Sequence, residues 1–376
     1  MSDVSAFIYG KAVGGQNFTD RVKETARLKM NFESGMNSII ISPRRIGKTS
    51  LVKHVMEQVD DSVKVVFMDI YRCRTEYDFY ELFASEMVSQ CTTKMEQAVA
   101  LAKEMIMSIN PKITLGWGGD RTLTLSLGLS KRTNTPEEIL SLPERISQKI
   151  GKRIVVCLDE FQQIGEMPDA LDVQKRLRTV WQHQQNTSYC FFGSKRHMML
   201  NLFQNKKMPF YQFGDMFFVH RIPTEEWVPF LQERFRSRGV EITADYAARI
   251  CNTVENYSSY VQQLAWNVLA SAQNQVDEQS FEAGLEATMT QMIPLFVEQT
   301  AGLTTYQMNF LRAICHGYHR DFGSEEVTSL YPMGTRNNLT RVISAVVSRE
   351  LVELQDDGTY DIPDPLFKVW FRESMM

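Results

Sequence analysis

The chain has 376 residues, which is long enough for two or three domains of ordinary size. Hydrophobic residues make up 43% and charged residues 23%, as in soluble globular proteins, and the formal net charge of −4 gives no general reason to expect nucleic-acid binding. No apolar run approaches the roughly eighteen residues of a membrane span. The N-terminus lacks a secretion-signal pattern and the six cysteines form no C-x-x-C pair, so we expect a cytoplasmic protein without zinc or disulfide bonds.

Residues 1–222 alternate predicted strands with predicted helices. The expected strands are 38–42, 63–69, a run that ends at Asp159, 189–194 and 216–220. The expected helices are 20–33, 48–59, most of 76–108, 135–150 and 170–185. This alternation predicts an α/β fold with a parallel sheet flanked by helices, whose ligand lies at the carboxyl ends of the strands.

The most informative segment joins the first predicted strand to the helix at 48–59. It matches the phosphate-binding loop G-x-x-x-x-G-K-[ST], except that Ser42 replaces the first glycine. Gly47 lets the backbone approach a phosphate, Lys48 reaches the β- and γ-phosphates, and the Thr49 hydroxyl is suited to bind Mg²⁺. The residues expected to bind the phosphates, by side chain or by backbone amide, are Ser42, Arg44, Arg45, Ile46, Gly47, Lys48, Thr49 and Ser50.

A second buried-strand run, residues 152–158, leads into the acidic pair Asp159 and Glu160. A solvated acidic turn after a hydrophobic strand is the plain alternative. In a chain that carries a phosphate loop upstream, however, we expect Asp159 to bind Mg²⁺. Glu160 is then placed to activate a water molecule for in-line attack on the γ-phosphate.

Residues 111–127 alternate apolar and polar side chains around Gly118, Gly119 and Asp120, which predicts a β-hairpin. We expect a hairpin insertion at about residues 110–130 that projects from the α/β core, with Trp117 at its tip. Packing against a neighbouring helix and docking to a partner protein both remain open for this hairpin.

The rest of the chain predicts a helical lid at 223–300 and a winged-helix domain at 301–376, in which three helices precede a hairpin closed at Asp357 and Gly358. The third helix would expose side chains suited to DNA base readout: Arg336, Asn337, Asn338, Thr340, Arg341 and Ser344. Acidic side chains outnumber basic ones in this part, so DNA binding is disfavoured, and an intramolecular or protein contact is the preferred interpretation.

With these motifs, nearly the whole chain resembles the archaeal-type ATPases, a branch of the STAND class of AAA-like P-loop ATPases. The segments that carry the resemblance are 17–21, 43–51, 159–162, 193–194 and 364–367. The resemblance implies that Phe18 and Arg21 line the adenine side of the site and that Ser194 senses the γ-phosphate. Arg196 follows closely and is a candidate arginine finger, a role that a neighbouring subunit can supply instead. Core packing of Phe18 and a simple polar strand end at Ser194 are the alternatives. The Gly-x-Pro motif of STAND lids is absent from 256–261.

The sequence therefore predicts an ATP-binding, Mg²⁺-dependent ATPase that works as a molecular switch, in which ATP closes the lid and the winged helix over the core. An ATP-responsive DNA-binding regulator and a nucleotide-binding scaffold with little turnover are the other two functions that stay open. A protein partner or self-association is expected, and contact with a membrane is not.

Overall fold

The computed structural model describes residues 6–92, 104, 114–117, 123–126, 136–355 and 357–375. The chain forms two compact units. One unit is Ala12–His220, and the other combines Met1–Lys11 with Arg221–Met376. The polypeptide therefore passes between the units twice, once after Lys11 and once after His220.

The described residues of the first unit form seven strands, and five of these strands form one sheet. The strands are β1 (Ser38–Ile41), β2 (Val63–Asp69), β3 (Thr114–Trp117), β4 (Leu123–Ser126), β5 (Arg153–Asp159), β6 (Thr187–Gly193) and β7 (Asp215–Phe218). The sheet has the order β2-β5-β6-β1-β7, and every neighbouring pair is parallel. The predicted parallel α/β sheet is therefore confirmed.

Helices cover both faces of this sheet. They are α1 (Val22–Ser34), α2 (Lys48–Met56), α3 (Glu76–Gln90), α4 (Pro136–Leu140), α5 (Leu142–Ile150), α6 (Ala170–Trp181) and α7 (Arg196–Gln204). Because side chains alternate along a strand, Ile39 and Ile41 pack on the side of α3 to α7, whereas Ile40 packs on the side of α1 and α2. Strand β1, which lies between β6 and β7, is thus buried on both faces, as its β-branched sequence requires.

One predicted helix of this unit is broken in the structure, and one predicted hairpin is described only in part. The single helix expected at 135–150 is broken at Ser141 into α4 and α5, because Pro143 has no backbone N–H to continue the helical hydrogen bonds. Strands β3 and β4 pair antiparallel as expected, with Thr114 opposite Ser126. The hairpin turn at 118–120 and most of residues 93–135 lie outside the described residues, so the projecting tip stays a prediction.

The second unit is mainly helical. Its helices are α8 (Thr224–Arg236), α9 (Ala244–Thr253), α10 (Ser258–Ser271), α11 (Glu278–Thr300), α12 (Thr305–Cys315), α13 (Glu325–Leu330), α14 (Arg336–Ser348) and α15 (Pro365–Met375). Between α14 and α15, β8 (Glu353–Leu354) pairs antiparallel with β9 (Tyr360–Asp361). Three helices followed by a hairpin are consistent with a winged-helix domain.

One continuous apolar core holds the second unit together. It includes side chains from α8 to α11, from the region after α11, and Phe7 of the N-terminal segment. The ring of Phe296 in α11 packs against Phe367 and Trp370 of α15 at centroid distances of 5.4 and 5.6 Å. The predicted boundary between a lid and a winged helix at residue 300 stays a prediction. Within the described ranges, no helix has the length and apolar character to cross a membrane.

Asn37 fixes the start of strand β1 between its two neighbours, β6 and β7. Its side-chain oxygen accepts a hydrogen bond from the Tyr189 amide of β6 at 2.9 Å, and its side-chain nitrogen donates to the Phe213 carbonyl at 3.0 Å. Its backbone carbonyl accepts from the Asp215 amide at the start of β7 at 2.8 Å. One residue thus bonds to both flanks of the strand that leads into the phosphate loop.

We expect Asn37→Ala to destabilise the protein by about 1–3 kcal/mol, because it leaves a strand amide and a carbonyl without these partners. Urea unfolding measures the loss. Asn201→Ala is the matched control, because the side chain of this exposed residue of α7 has, within the described part of the chain, a single hydrogen bond, to the exposed Asn205, and the substitution should change stability by less than about 0.5 kcal/mol. Equal effects of the two substitutions would contradict the role given to Asn37.

Candidate functional site

Three neighbouring strands end at the same edge of the sheet and bring their predicted site residues together. The loop 42–47 follows β1, Asp159 ends β5 with Glu160 directly after it, and Ser194 follows β6, which lies between the other two strands. The Thr49 hydroxyl at the start of α2 donates a hydrogen bond to the Asp159 carboxylate at 2.8 Å. The phosphate loop and the acidic strand end are therefore in direct contact.

The loop has the backbone of an anion-binding turn at a helix N-terminus. Arg45 (φ 65°) and Gly47 (φ 92°) both adopt the left-handed conformation, and Gly47 is the residue directly before α2. The amides and the dipole at the start of α2 favour a bound anion here. The Lys48 side chain is buried, and its Nζ donates to the carbonyls of Ser42 (3.2 Å) and Pro43 (2.8 Å). Lys48 thus lies folded across the loop.

The serine at the first glycine position of the loop pattern is accommodated. Ser42 is buried and is absent from the residues of positive φ, so its position does not require glycine. Its hydroxyl donates to the Pro43 carbonyl at 3.1 Å, which satisfies the polar group inside the loop. The departure from the loop pattern therefore leaves the backbone of the loop intact.

Two residues of the N-terminal segment 17–21 contact the phosphate loop or the helix that follows it. Arg21 is buried, and its Nη2 donates to the Ile46 carbonyl at 3.1 Å while its Nη1 pairs with Glu24 at 3.3 Å. Burial lowers the pKa of the Arg21 guanidinium, which these oxygens stabilise. The ring of Phe18 stacks on His54 of α2 with centroids 3.9 Å apart. Both side chains thus contact the loop or its helix, and their placement beside adenine stays a prediction.

The pair of Thr49 and Asp159 fits a magnesium ion. A hydroxyl and a carboxylate are oxygen donors of the kind that Mg²⁺ takes, usually with water and substrate phosphates completing the shell. In the described part of the chain, no three His, Cys, Asp or Glu side chains cluster as a metal site, so protein groups alone would not enclose the ion. Burial raises the pKa of Asp159 to about 6, an effect that the Thr49 hydrogen bond opposes and the nearby Glu160 and Asp69 carboxylates increase. A cation would relieve this concentration of negative charge.

The Glu160 side chain accepts hydrogen bonds from Ser194, which follows β6, and from Gln162, two residues further along the chain. Glu160 has a left-handed backbone (φ 56°), and its Oε2 accepts hydrogen bonds from the Ser194 hydroxyl at 2.9 Å and the Ser194 amide at 3.4 Å. The Arg44 guanidinium donates to the same Ser194 hydroxyl at 3.1 Å. Ser194 thus links the phosphate loop to Glu160. Gln162 also donates to Glu160, a contact that no sequence pattern predicts.

Arg196 begins α7, two residues after Ser194. Its guanidinium carbon lies 5.6 Å from the centre of the Phe218 ring at the end of β7. The residue is therefore near the carboxyl edge of the sheet, and its role as an arginine finger stays a prediction.

A phosphate loop after one parallel strand and an acidic pair after another define a P-loop ATPase domain. The family described as an ATPase domain predominantly from Archaea matches residues 18–277, which is more than half of the chain, and the protein belongs to this family. An uncharacterised ATP-binding protein of Methanocaldococcus jannaschii is 28% identical over 166 residues. That match covers 41% of this chain and 45% of the relative, so the chain spans less than half of that relative's length.

Solved structures share the fold at low sequence identity. The Walker-type ATPase of Pyrococcus abyssi has a TM-score of 0.68 at 15% identity, over 98% of this chain and 99% of that one. The ORC2 protein of Aeropyrum pernix, solved with ADPNP and ADP, has a TM-score of 0.57 at 14% identity, over 97% and 94% of the two chains. Identities this low establish the fold alone.

The raised pKa of Asp159 predicts how metal-free stability depends on pH. The folded protein keeps this proton up to a pH of about 6, whereas the unfolded chain loses it near the ordinary value of 3.8. Raising the pH from 4 to 7 therefore destabilises the folded parent relative to Asp159→Asn, whose side chain stays neutral. We expect the stability advantage of the variant to grow by on the order of 2 kcal/mol over this range.

Urea unfolding of both proteins in the presence of a metal chelator measures this difference, and all other titrating groups are common to the pair. Parallel pH profiles for the parent and Asp159→Asn would contradict the buried, partly protonated carboxyl.

Proposed function

We propose that this protein binds ATP with Mg²⁺ at the carboxyl edge of the sheet and hydrolyses it to ADP and phosphate. The observation that carries the proposal is the 2.8 Å hydrogen bond between Thr49 and Asp159. This bond joins the loop that would hold the phosphates to the acidic pair that would bind Mg²⁺ and activate water. Membership of the ATPase family supports it, as does the likeness to a relative described as ATP-binding.

Each role follows from a contact already in place. Lys48 would exchange the two loop carbonyls for oxygens of the β- and γ-phosphates, and the amides at the start of α2 would hold the same groups. Thr49 and Asp159 would hold Mg²⁺, which when bound neutralises developing charge on the phosphate oxygens. Glu160 would orient a water molecule and accept its proton.

Ser194 is suited to report on the γ-phosphate. Its hydroxyl already contacts both Glu160 and the loop residue Arg44, so a phosphate at the loop and a water molecule at Glu160 would lie on either side of it. A polar side chain in this position can favour the catalytic arrangement only when the γ-phosphate is present. Arg196, at the start of the next helix, is the candidate for a further positive charge in the transition state.

The two compact units support a switch. Tyr260 of α10 donates a hydrogen bond to Asp364, and the Lys368 ammonium in α15 pairs with Glu255 at 3.5 Å. The predicted lid and the C-terminal region therefore share polar contacts as well as the apolar core. We infer that ATP binding and hydrolysis drive a switch in which the lid and the C-terminal region move as one body.

A protein partner or a second copy of the chain is the proposed recipient of this change. Of the six side chains that the sequence marked for DNA readout, helix α14 exposes Arg336, Asn337, Thr340, Arg341 and Ser344, and Asn338 is half-buried. Acidic residues still outnumber basic ones in 302–376, so this face lacks the general positive charge that phosphate contacts need. A partner protein therefore remains the preferred ligand of this region.

Glu160→Gln tests the proposed chemistry. We expect ATP binding to be retained and hydrolysis to fall at least about a hundredfold, because the amide cannot accept the proton of the attacking water. Radiolabelled phosphate release and an equilibrium ATP titration measure the two properties.

Glu166→Gln is the matched control, since Glu166 is exposed and pairs only with Lys195 among the contacts described, and its hydrolysis should match the parent. Hydrolysis by Glu160→Gln at the parent rate would refute the role of Glu160. A parent protein that retains ATP without turnover would instead establish the scaffold alternative.

A further inference from the structure

Gln162 is a nearly buried side chain beside the proposed catalytic glutamate. It lies in the short 3₁₀ helix Phe161–Glu166 that follows Glu160, and only 2% of its surface is exposed. Its amide nitrogen donates a hydrogen bond to Oε2 of Glu160. Its amide oxygen is buried and has no hydrogen-bond partner among the residues described.

The end of β6 is shaped to receive this amide. A Cβ atom at Gly193 would overlap Oε1 of Gln162 and would lie 3.0 Å from its Cδ. The amide therefore rests directly on the backbone of β6, in space that a side chain at residue 193 would fill. This close approach gives a physical reason for glycine at that position.

The donors to Glu160 all converge on one oxygen. Oε2 accepts from the Ser194 amide, the Ser194 hydroxyl and the Gln162 amide, whereas no contact to Oε1 from the described residues is recorded. A carboxylate held through one oxygen by charge-assisted hydrogen bonds loses the freedom to rotate and presents its second oxygen in a fixed direction.

We propose that Gln162, seated on Gly193, is a positioning residue that fixes Glu160 for activation of the attacking water. The inference rests on the proposed function, because it assigns a role in ATP hydrolysis. A purely structural role would not explain this residue. A buried amide oxygen without a partner lowers the stability of the fold, whereas an apolar side chain of similar length would not.

Gln162→Met tests the proposal, because methionine keeps the length and removes both polar atoms. We expect kcat for ATP hydrolysis to fall on the order of tenfold to a hundredfold, the usual effect of removing a group that orients a catalytic residue. KM for ATP should stay within about twofold of the parent, because Gln162 contacts neither the loop nor Lys48. The urea midpoint should stay the same or rise.

Two further variants make the result specific. Gly193→Ala should also lower kcat, because its Cβ displaces the Gln162 amide. In a Glu160→Gln background, Gln162→Met should add no further loss, because the group it positions no longer acts as a base. Gln174→Met is the matched control: Gln174 is also buried with an amide oxygen that lacks a partner in the described structure, but it lies in α6 and makes no recorded contact with Glu160. It should hydrolyse ATP at the parent rate.

Each outcome decides the matter. Parent-like or faster hydrolysis by Gln162→Met would overturn the positioning role, as would an equal additional loss in the Glu160→Gln background. A fall in kcat that Gln174→Met shares would mark a general effect of core substitution and would likewise overturn it. Failure of the parent protein to hydrolyse ATP would contradict the proposed function itself. The assay of the parent shows this before any variant is measured.

Discussion

The hydrogen bond between Thr49 and Asp159 is the interaction on which the proposed site depends. Thr49 comes after strand β1 and Asp159 ends strand β5, and these strands are not neighbours, because β6 lies between them in the sheet. The residue directly after the intervening strand therefore stands between the loop and the acids. Ser194 occupies that place and contacts both Arg44 and Glu160. The strand order thus determines which side chain can contact both the phosphate loop and the glutamate proposed to bind the attacking water.

Three residues around this site have a strained backbone. Arg21, Arg45 and Glu160 are not glycines, yet all three have the left-handed conformation, with φ between 56° and 69°. Each such residue costs folding free energy and persists only where the surrounding contacts enforce it. Arg21 braces the loop through the Ile46 carbonyl, and Ser194 and Gln162 hold Glu160. The buried Asp159 carboxylate adds an electrostatic cost. The strained residues and the buried carboxylate lower the free energy of unfolding at the positions proposed to bind the nucleotide.

The sequence predicted the local parts of this architecture well, because local patterns encode them. Strand β2 has the predicted bounds 63–69, and the helix after the loop begins at Lys48 as expected. The order of the strands was beyond prediction, since pairing between parallel strands joins residues far apart in the chain. The contact between Gln162 and Glu160 was also missed. It arises from a left-handed turn followed by a 3₁₀ helix, and neither has a hydrophobic period.

The most direct test of the central claim is the effect of Mg²⁺ on ATP affinity in the parent and in Asp159→Asn, measured by equilibrium titration. If the loop and the acidic strand end hold one magnesium–triphosphate group together, Mg²⁺ should strengthen ATP binding to the parent by about tenfold or more, the equivalent of about 1.4 kcal/mol. The same addition should have little effect on Asp159→Asn, whose metal-free affinity should be close to that of the parent. An equal response to Mg²⁺ in the two proteins, or no ATP binding by the parent, would contradict the claim.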